Sequence, residues 1–127
     1  MTSEIQNTNE KKVYDLEERT ALLGEGIIDF AKTLPHDRIS NELVKQFIRS
    51  GTGIGANYME ADGAESKKDF RHKIALCKKE AKETKHWIRM IAKANPDRKK
   101  ECKKIWQEAQ ELTLIFSTIL NTSRKGK

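Results

Sequence analysis

Apolar residues recur along this chain in steps of three and four. No stretch alternates with period two for long enough to make a strand. Leu16, Thr20, Leu23, Ile27, Phe30, Ala31 and Leu34 predict one helical face. Asp15 with Glu18 three residues on gives it a capping-box start, and Pro35-His36-Asp37 a stop. A second helix begins near Asp37 or Ser40, carries Leu43, Phe47, Ile54, Tyr58 and Ala61, and ends around Asp62-Gly63. The third is the clearest. Ser66 and Asp69 form another capping-box pattern, and Phe70, Ile74, Cys77, Ala81, Thr84, Ile88 and Ile91 follow in alternating steps of four and three. Asn95-Pro96 ends it and starts the fourth, with Asn as N-cap and Pro at the first helical position. Ile105, Ala109, Leu112, Phe116 and Ile119 repeat the pattern there.

Helices of about 20–28 residues would each be about 30–40 Å long. The short connections make sequential neighbours antiparallel. The expectation is an all-α, antiparallel up-down-up-down four-helix bundle over residues 14–121. A flexible leader is expected at 1–13 and a basic, frayed tail at 122–127.

Composition narrows the class. The chain has 127 residues, 36% apolar and 35% charged, enough for one core and too few for two. Mean hydropathy is −0.77, and no apolar run approaches the roughly 18 residues of a membrane span. The opening Met-Thr-Ser-Glu-Ile-Gln lacks the basic and apolar regions of a secretory signal. Two cysteines make no disulfide framework. A cytoplasmic protein without a membrane partner is expected.

Two helices carry more apolar surface than one bundle stripe requires. Leu76, Trp87, Met90 and Ala94 fall well away from the Phe70–Ile91 stripe, and Trp106, Thr113 and Leu120 sit beside the stripe of the fourth helix. Such residues either broaden the core face or anchor a subunit interface, for which Trp and Met are suited. The interface reading is favoured for Leu76, Trp87, Met90 and Trp106.

The stretch Arg49-Ser50-Gly51-Thr52-Gly53-Ile54-Gly55-Ala56-Asn57 places three glycines in a helical pattern, each costing about 1 kcal/mol relative to Ala. A phosphate loop is a poor account: no strand precedes it, the spacing is GxGxG, and no Lys follows in the required place. Packing is the better one. Gly51 and Gly55 share a face and let another helix come close, within the bundle or at a subunit interface. Asp69-x-x-His72 and Glu83-x-x-His86 have the acid-x-x-His spacing of di-iron bundles, but both lie on one helix and point away from its apolar stripe. They are read as surface residues, and no metal or other cofactor is expected. Cys77 sits on the apolar stripe as a small hydrophobe, and antiparallel pairing puts Cys102 near Ile88, too far from Cys77 for a disulfide. No Ser-His-Asp set can be assembled. No catalytic residues are assigned, and the chain is expected not to be an enzyme.

Charge carries the most specific signal. The net charge of +6 is unevenly distributed. Residues 66–94 hold ten Lys and Arg against Asp69, Glu80 and Glu83, whereas 15–34 and 35–65 are net acidic. On a helical wheel Arg71, Lys78, Lys82, Lys85, Arg89 and Lys93 fall within about 80° of one another. They form either a track for phosphates, or a face that is solvated or paired with Glu17, Glu18, Glu25 and Asp29 of the first helix. No aromatic interleaves with the stripe, His86 apart, so binding would be directed at the backbone, salt-sensitive and weakly sequence-selective.

The run from Gln46 to Ile91 resembles the signature of the bacterial four-helix-bundle family known as 23S rRNA-intervening-sequence proteins. Its most specific parts are Arg49-Ser50-Gly51-Thr52, Ile54-Gly55-Ala56-Asn57-Tyr58 with Glu60-Ala61, Ser66 with Lys68-Asp69-Phe70, and Lys79-Glu80-Ala81 with Glu83-Thr84. Tyr14-Asp15-Leu16 and the stretch from Leu112 to Ile119 fit as well. Gly53 stands where a Ser is expected and His86 where an aromatic is. The resemblance implies a left-handed bundle and a ring-like homopentamer. It also implies kinship with the accessory variability determinant (Avd) protein of diversity-generating retroelements, a basic pentamer that partners a reverse transcriptase and binds nucleic acid. The combined expectation is a homo-oligomeric bundle that binds RNA or an RNA/DNA intermediate. The competing expectation is an adaptor docking an acidic protein such as a reverse transcriptase.

Overall fold

The computed structural model describes residues 15–125, with side chains as far as Ser123. The leader expected at 1–13 lies outside the described residues. Within them the chain forms four α-helices: α1 (Leu16–Lys32), α2 (Arg38–Asp62), α3 (Lys67–Ala94) and α4 (Lys99–Lys125). No helix among the described residues is long and apolar enough to cross a membrane. The bundle is antiparallel, with α1 packed on α2, α2 on α3 and α3 on α4; α1 and α4 meet far less than these sequential pairs.

The helix ends follow from local hydrogen bonding. Asp37 caps α2 by accepting from the Ser40 amide at 2.8 Å, and Ser66 caps α3 by accepting from the Asp69 amide at 3.0 Å. Two expectations need correction. Asp15 is the N-cap of α1, but its side chain makes no capping bond, so the box with Glu18 does not form. Asn95 ends α3 as expected, its amide and side chain both donating to the Ile91 carbonyl at 2.9 and 3.1 Å, and it is an N-cap followed by Pro96, but of a 3-10 turn rather than of α4 and without a side-chain capping bond. Pro96–Arg98 is then a 3-10 turn, and α4 starts only at Lys99. At the other end α4 continues to Lys125, past the boundary expected at 121.

The core is the set of stripes read from the sequence. Leu16, Ile27, Phe47, Ile54, Ile74, Ile88, Ile91, Leu112 and Phe116 are fully enclosed. Cys77 and Cys102 are free and buried.

The glycine-rich stretch of α2 sits between two neighbours. A Cβ at Gly51 would collide with Ile27 Cδ1 of α1, and one at Gly55 would stand 3.3 Å from Thr20 Oγ1. On the α3 side, a Cβ at Gly53 would be 2.6 Å from Glu80 Oε2. The Ser50 hydroxyl lies 3.1 Å from that of Thr84, and each hydroxyl also has a carbonyl of its own helix within reach. Asn57 donates to the Gly53 carbonyl at 2.9 Å. Small residues here let α1 and α3 close on α2 from both sides, which offsets their poor helix propensity. Gly51 and Gly55 therefore meet partners inside the chain. Close approach within the bundle accounts for Gly51, and Gly55 also lines the open groove between α1 and α2.

Two arginines fasten α1 and its C-terminal end to the fourth-helix side of the bundle. Arg19 donates to both oxygens of Glu108, at 2.8 and 2.9 Å, and reaches Glu111 at 2.9 Å. These carboxylates raise the guanidinium's pKa, against the opposing effect of burial. Arg98, in the turn before α4, donates to the Thr33 carbonyl and hydroxyl, at 3.3 and 2.7 Å, and lies 4.9 Å from the centre of the Phe30 ring.

Gly51→Leu is expected to destabilise the fold by about 1–3 kcal/mol or more, as overpacking does. Gly26→Ala, where an added Cβ meets nothing within 4 Å, should stabilise it by about 0.5–1 kcal/mol through helix propensity. Urea melts followed by circular dichroism would read both. Helix propensity alone would make both substitutions stabilising, so an unchanged or raised Gly51→Leu midpoint would refute the packing account. Arg19→Met should cost about 1–2 kcal/mol, because the bidentate pair is partly shielded. A midpoint equal to the parent's would reduce it to an ordinary surface pair.

Candidate nucleic-acid interface

The six basic residues of the α3 stripe all lie on the side that turns towards α4. Lys82, Arg89 and Lys93 are exposed, while Arg71, Lys78 and Lys85 are half-buried. Arg71 Nη1 donates to the Leu120 carbonyl at 2.9 Å. Lys85 Nζ donates to Gln110 Oε1 at 2.5 Å and stands 5.3 Å from the centre of the Trp106 ring. These two cations tie the stripe to α4. Among the described residues none of the six forms an ion pair with a carboxylate, and the side chains of Lys78, Lys82, Arg89 and Lys93 make no hydrogen bond either.

Two of the three acids of α3, Glu80 and Glu83, do not quench this face because another helix engages them. Arg49 of α2 reaches Glu83 at 2.8 Å and Glu80 at 3.7 Å. Burial raises the Glu80 pKa, and the neighbouring Glu83 raises it further. Lys73, outside the stripe, pairs with Glu60 of α2 at 2.6 Å. The other possibility, pairing with α1, is not what forms: Glu17, Glu18 and Glu25 line a groove between α1 and α2, with Ala21, Ile28 and Met59. That leaves acid on the α1/α2 side and base on the α3/α4 side.

Next to the stripe is a surface cleft of about 270 Å³ between α3 and α4. Ile88, Ala92, Cys102 and Trp106 give it apolar walls, and Arg89, Lys99 and Lys103 bring cations to it. Ile88 and Cys102 meet here, as antiparallel pairing predicts. Burial pushes the Cys102 thiol up to about 11 and that of Cys77 to about 12, so both are protonated at neutral pH.

Trp106, Lys99 and Lys103 are invisible to a wheel drawn for α3 alone. They recur at i, i+4 and i+7 on α4, and laying that face against α3 in antiparallel register would find them. With 38% of its surface exposed, Trp106 supplies the aromatic that the stripe lacks by itself. This separates it from the other interface candidates. Leu76, Trp87 and Met90 are half-buried on the opposite shoulder of α3, with Trp87 packed on the core and edge-on to His86. Among the described residues the large apolar side chains that are exposed are Leu22, Ile28, Ile39, Met59, Leu114 and Trp106. His72 and His86 are exposed, and among the described residues no three His, Cys, Asp or Glu gather as a metal site.

No curated protein matches the chain significantly. A solved structure does: a protein of unknown function from the S23 ribosomal protein family of Bacteroides thetaiotaomicron, 26% identical, with a TM-score of 0.76 over 87% of this chain and 98% of that one. The signature of the 23S rRNA-intervening sequence proteins matches residues 12–118, which span all of α1, α2 and α3 and most of α4, and the chain belongs to that family.

Proposed function

We propose that this protein is a non-enzymatic, homo-oligomeric bundle that binds nucleic acid, RNA or an RNA/DNA intermediate, through the basic face of α3 and α4. One observation carries the reading: Arg49 takes up Glu80 and Glu83 on one side of α3, while among the described residues the cations on the other side have no carboxylate partner. Unpaired cations aligned on one face attract phosphates and release counterions when they meet them.

Self-association draws support from elsewhere on the molecule. Ile28 and Met59 are exposed beside the acidic α1/α2 groove, a surface remote from the basic face. A ring of copies joined there, with five as the expected number, would present several basic faces at once, and linked weak sites gain avidity without further interactions.

An anisotropy titration with structured RNA and duplex DNA across a salt series tests the binding. Affinity should fall linearly with log salt. Reversing Lys78, Lys82 and Arg89 to Glu should flatten the slope by about one for each phosphate no longer held and leave the assembled mass unchanged. Binding that is absent at low salt, or flat against salt, would sink this reading in favour of an acidic protein partner such as a reverse transcriptase. Light scattering at micromolar concentration should give a multiple, expected fivefold, of the 14.6 kDa chain mass; the single-chain mass would refute assembly.

A further inference from the structure

We propose that the cleft beside Trp106 takes up one unstacked base of a single-stranded or bulged nucleic acid, with the phosphates on either side of that base held by Arg89 of α3 and by Lys99 and Lys103 of α4. This rests on the nucleic-acid reading and sharpens it, because a cationic stripe alone does not distinguish a duplex from a single strand.

Three features point the same way. The cleft measures about 270 Å³, below the roughly 300–1,000 Å³ of pockets for drug-sized ligands, and so suits one flat ring rather than a larger ligand. Its walls are apolar and include an exposed indole, the kind of surface on which bases stack without regard to sequence. Every charged residue lining it is a cation. Lys99 and Lys103 are one helical turn apart and Arg89 faces them from α3, so phosphate oxygens leaving the cleft in either direction meet positive charge. Position at the start of α4 adds the positive end of that helix's dipole.

The indole is also held in place. Lys85 lies over its ring at 5.3 Å and is fixed in turn by Gln110, so the orientation of the ring is set before any ligand arrives. A paired base cannot enter: in a duplex it is stacked inward, and the A-form major groove does not admit side chains. The cleft therefore selects for unpaired nucleotides.

The test compares a labelled single-stranded RNA of about 12 nucleotides, the DNA of the same sequence, and a blunt RNA duplex. Trp106→Ala should weaken binding of the single strands by about 5- to 150-fold while duplex affinity and the salt slope stay as they were. Trp106→Phe, which keeps a flat ring, should restore most of the affinity. Ala92→Leu, which narrows the cleft and keeps the indole, should weaken single-strand binding as Trp106→Ala does. In a Trp87→Phe background, fluorescence of Trp106 should be quenched by the single strand and not by the duplex.

Equal weakening for single strand and duplex, or none in either cleft variant, would overturn base capture while leaving the phosphate stripe standing. Absence of binding to every probe by the unaltered protein would remove the underlying reading instead. A changed oligomer mass in Trp106→Ala with affinity intact would place Trp106 between subunits and refute the assignment.

Discussion

Close approach at the middle of α2 is the constraint on which the rest of this fold depends. Helix α2 is flanked by α1 and α3, and both meet it along Ser50–Gly55. Ile27 fills the space that a side chain at Gly51 would need, and Thr20 sits over Gly55. Across the helix Ser50 meets Thr84, and Cys77 Sγ lies 3.6 Å from the Ile54 carbonyl. Three residues with poor intrinsic helix propensity are tolerated in α2 because packing rather than propensity supplies most helical stability in a folded protein. A larger residue would push α1 or α3 outwards and open the core that Phe47 and Ile54 occupy.

The distribution of charge follows from that packing. With α3 close to α2, Arg49 is within reach of Glu80 and Glu83, and Glu60 is within reach of Lys73. These carboxylates of the second and third helices are thus engaged at their common boundary. The six cations of the stripe face the other boundary, where α4 offers carbonyl, amide and aromatic groups to Arg71 and Lys85 and, among the described residues, no carboxylate. Charge that looks modest as a total becomes a surface property because two acids of α3 are drawn to one side by a single arginine of α2.

Most of this is legible in the sequence at the level of single helices. The period of Ile74, Cys77, Ala81, Thr84, Ile88 and Ile91 identifies the buried face of α3, and the wheel places its six cations together. What a wheel does not supply is the partner of each face. Whether the stripe meets the acids of α1 or stands clear of them depends on the order of helices around the bundle. Trp106 shows the same limit: on its own helix it is a surplus apolar residue fit for an interface, and only the register of α4 against α3 brings it to Lys85 and Arg89. Gly51 marks a place of close approach, as its spacing predicts, yet the approaching helix belongs to the same chain. The Asp15 side chain makes no capping bond, and that of Asn95 bonds back to the Ile91 carbonyl, an alternative backbone partner that sequence spacing does not rank.

The two tethered cations and the four that are unpaired among the described residues serve different ends. Arg71 and Lys85 are bonded to α4 some 14 residues apart, about 21 Å along α3 at 1.5 Å per residue, so they pin the two helices at separate heights. Between and beyond them, Lys78, Lys82, Arg89 and Lys93 remain on a rigid backbone with their charge available. A rigid array gives up less freedom on meeting a ligand than a flexible basic segment of equal charge would, because the helix is ordered beforehand. Four cations on one chain still give only a modest and salt-sensitive hold on phosphates. The same array repeated around an assembly would multiply that hold, whereas a cleft that admits an unpaired base would add discrimination that repetition of charge cannot provide.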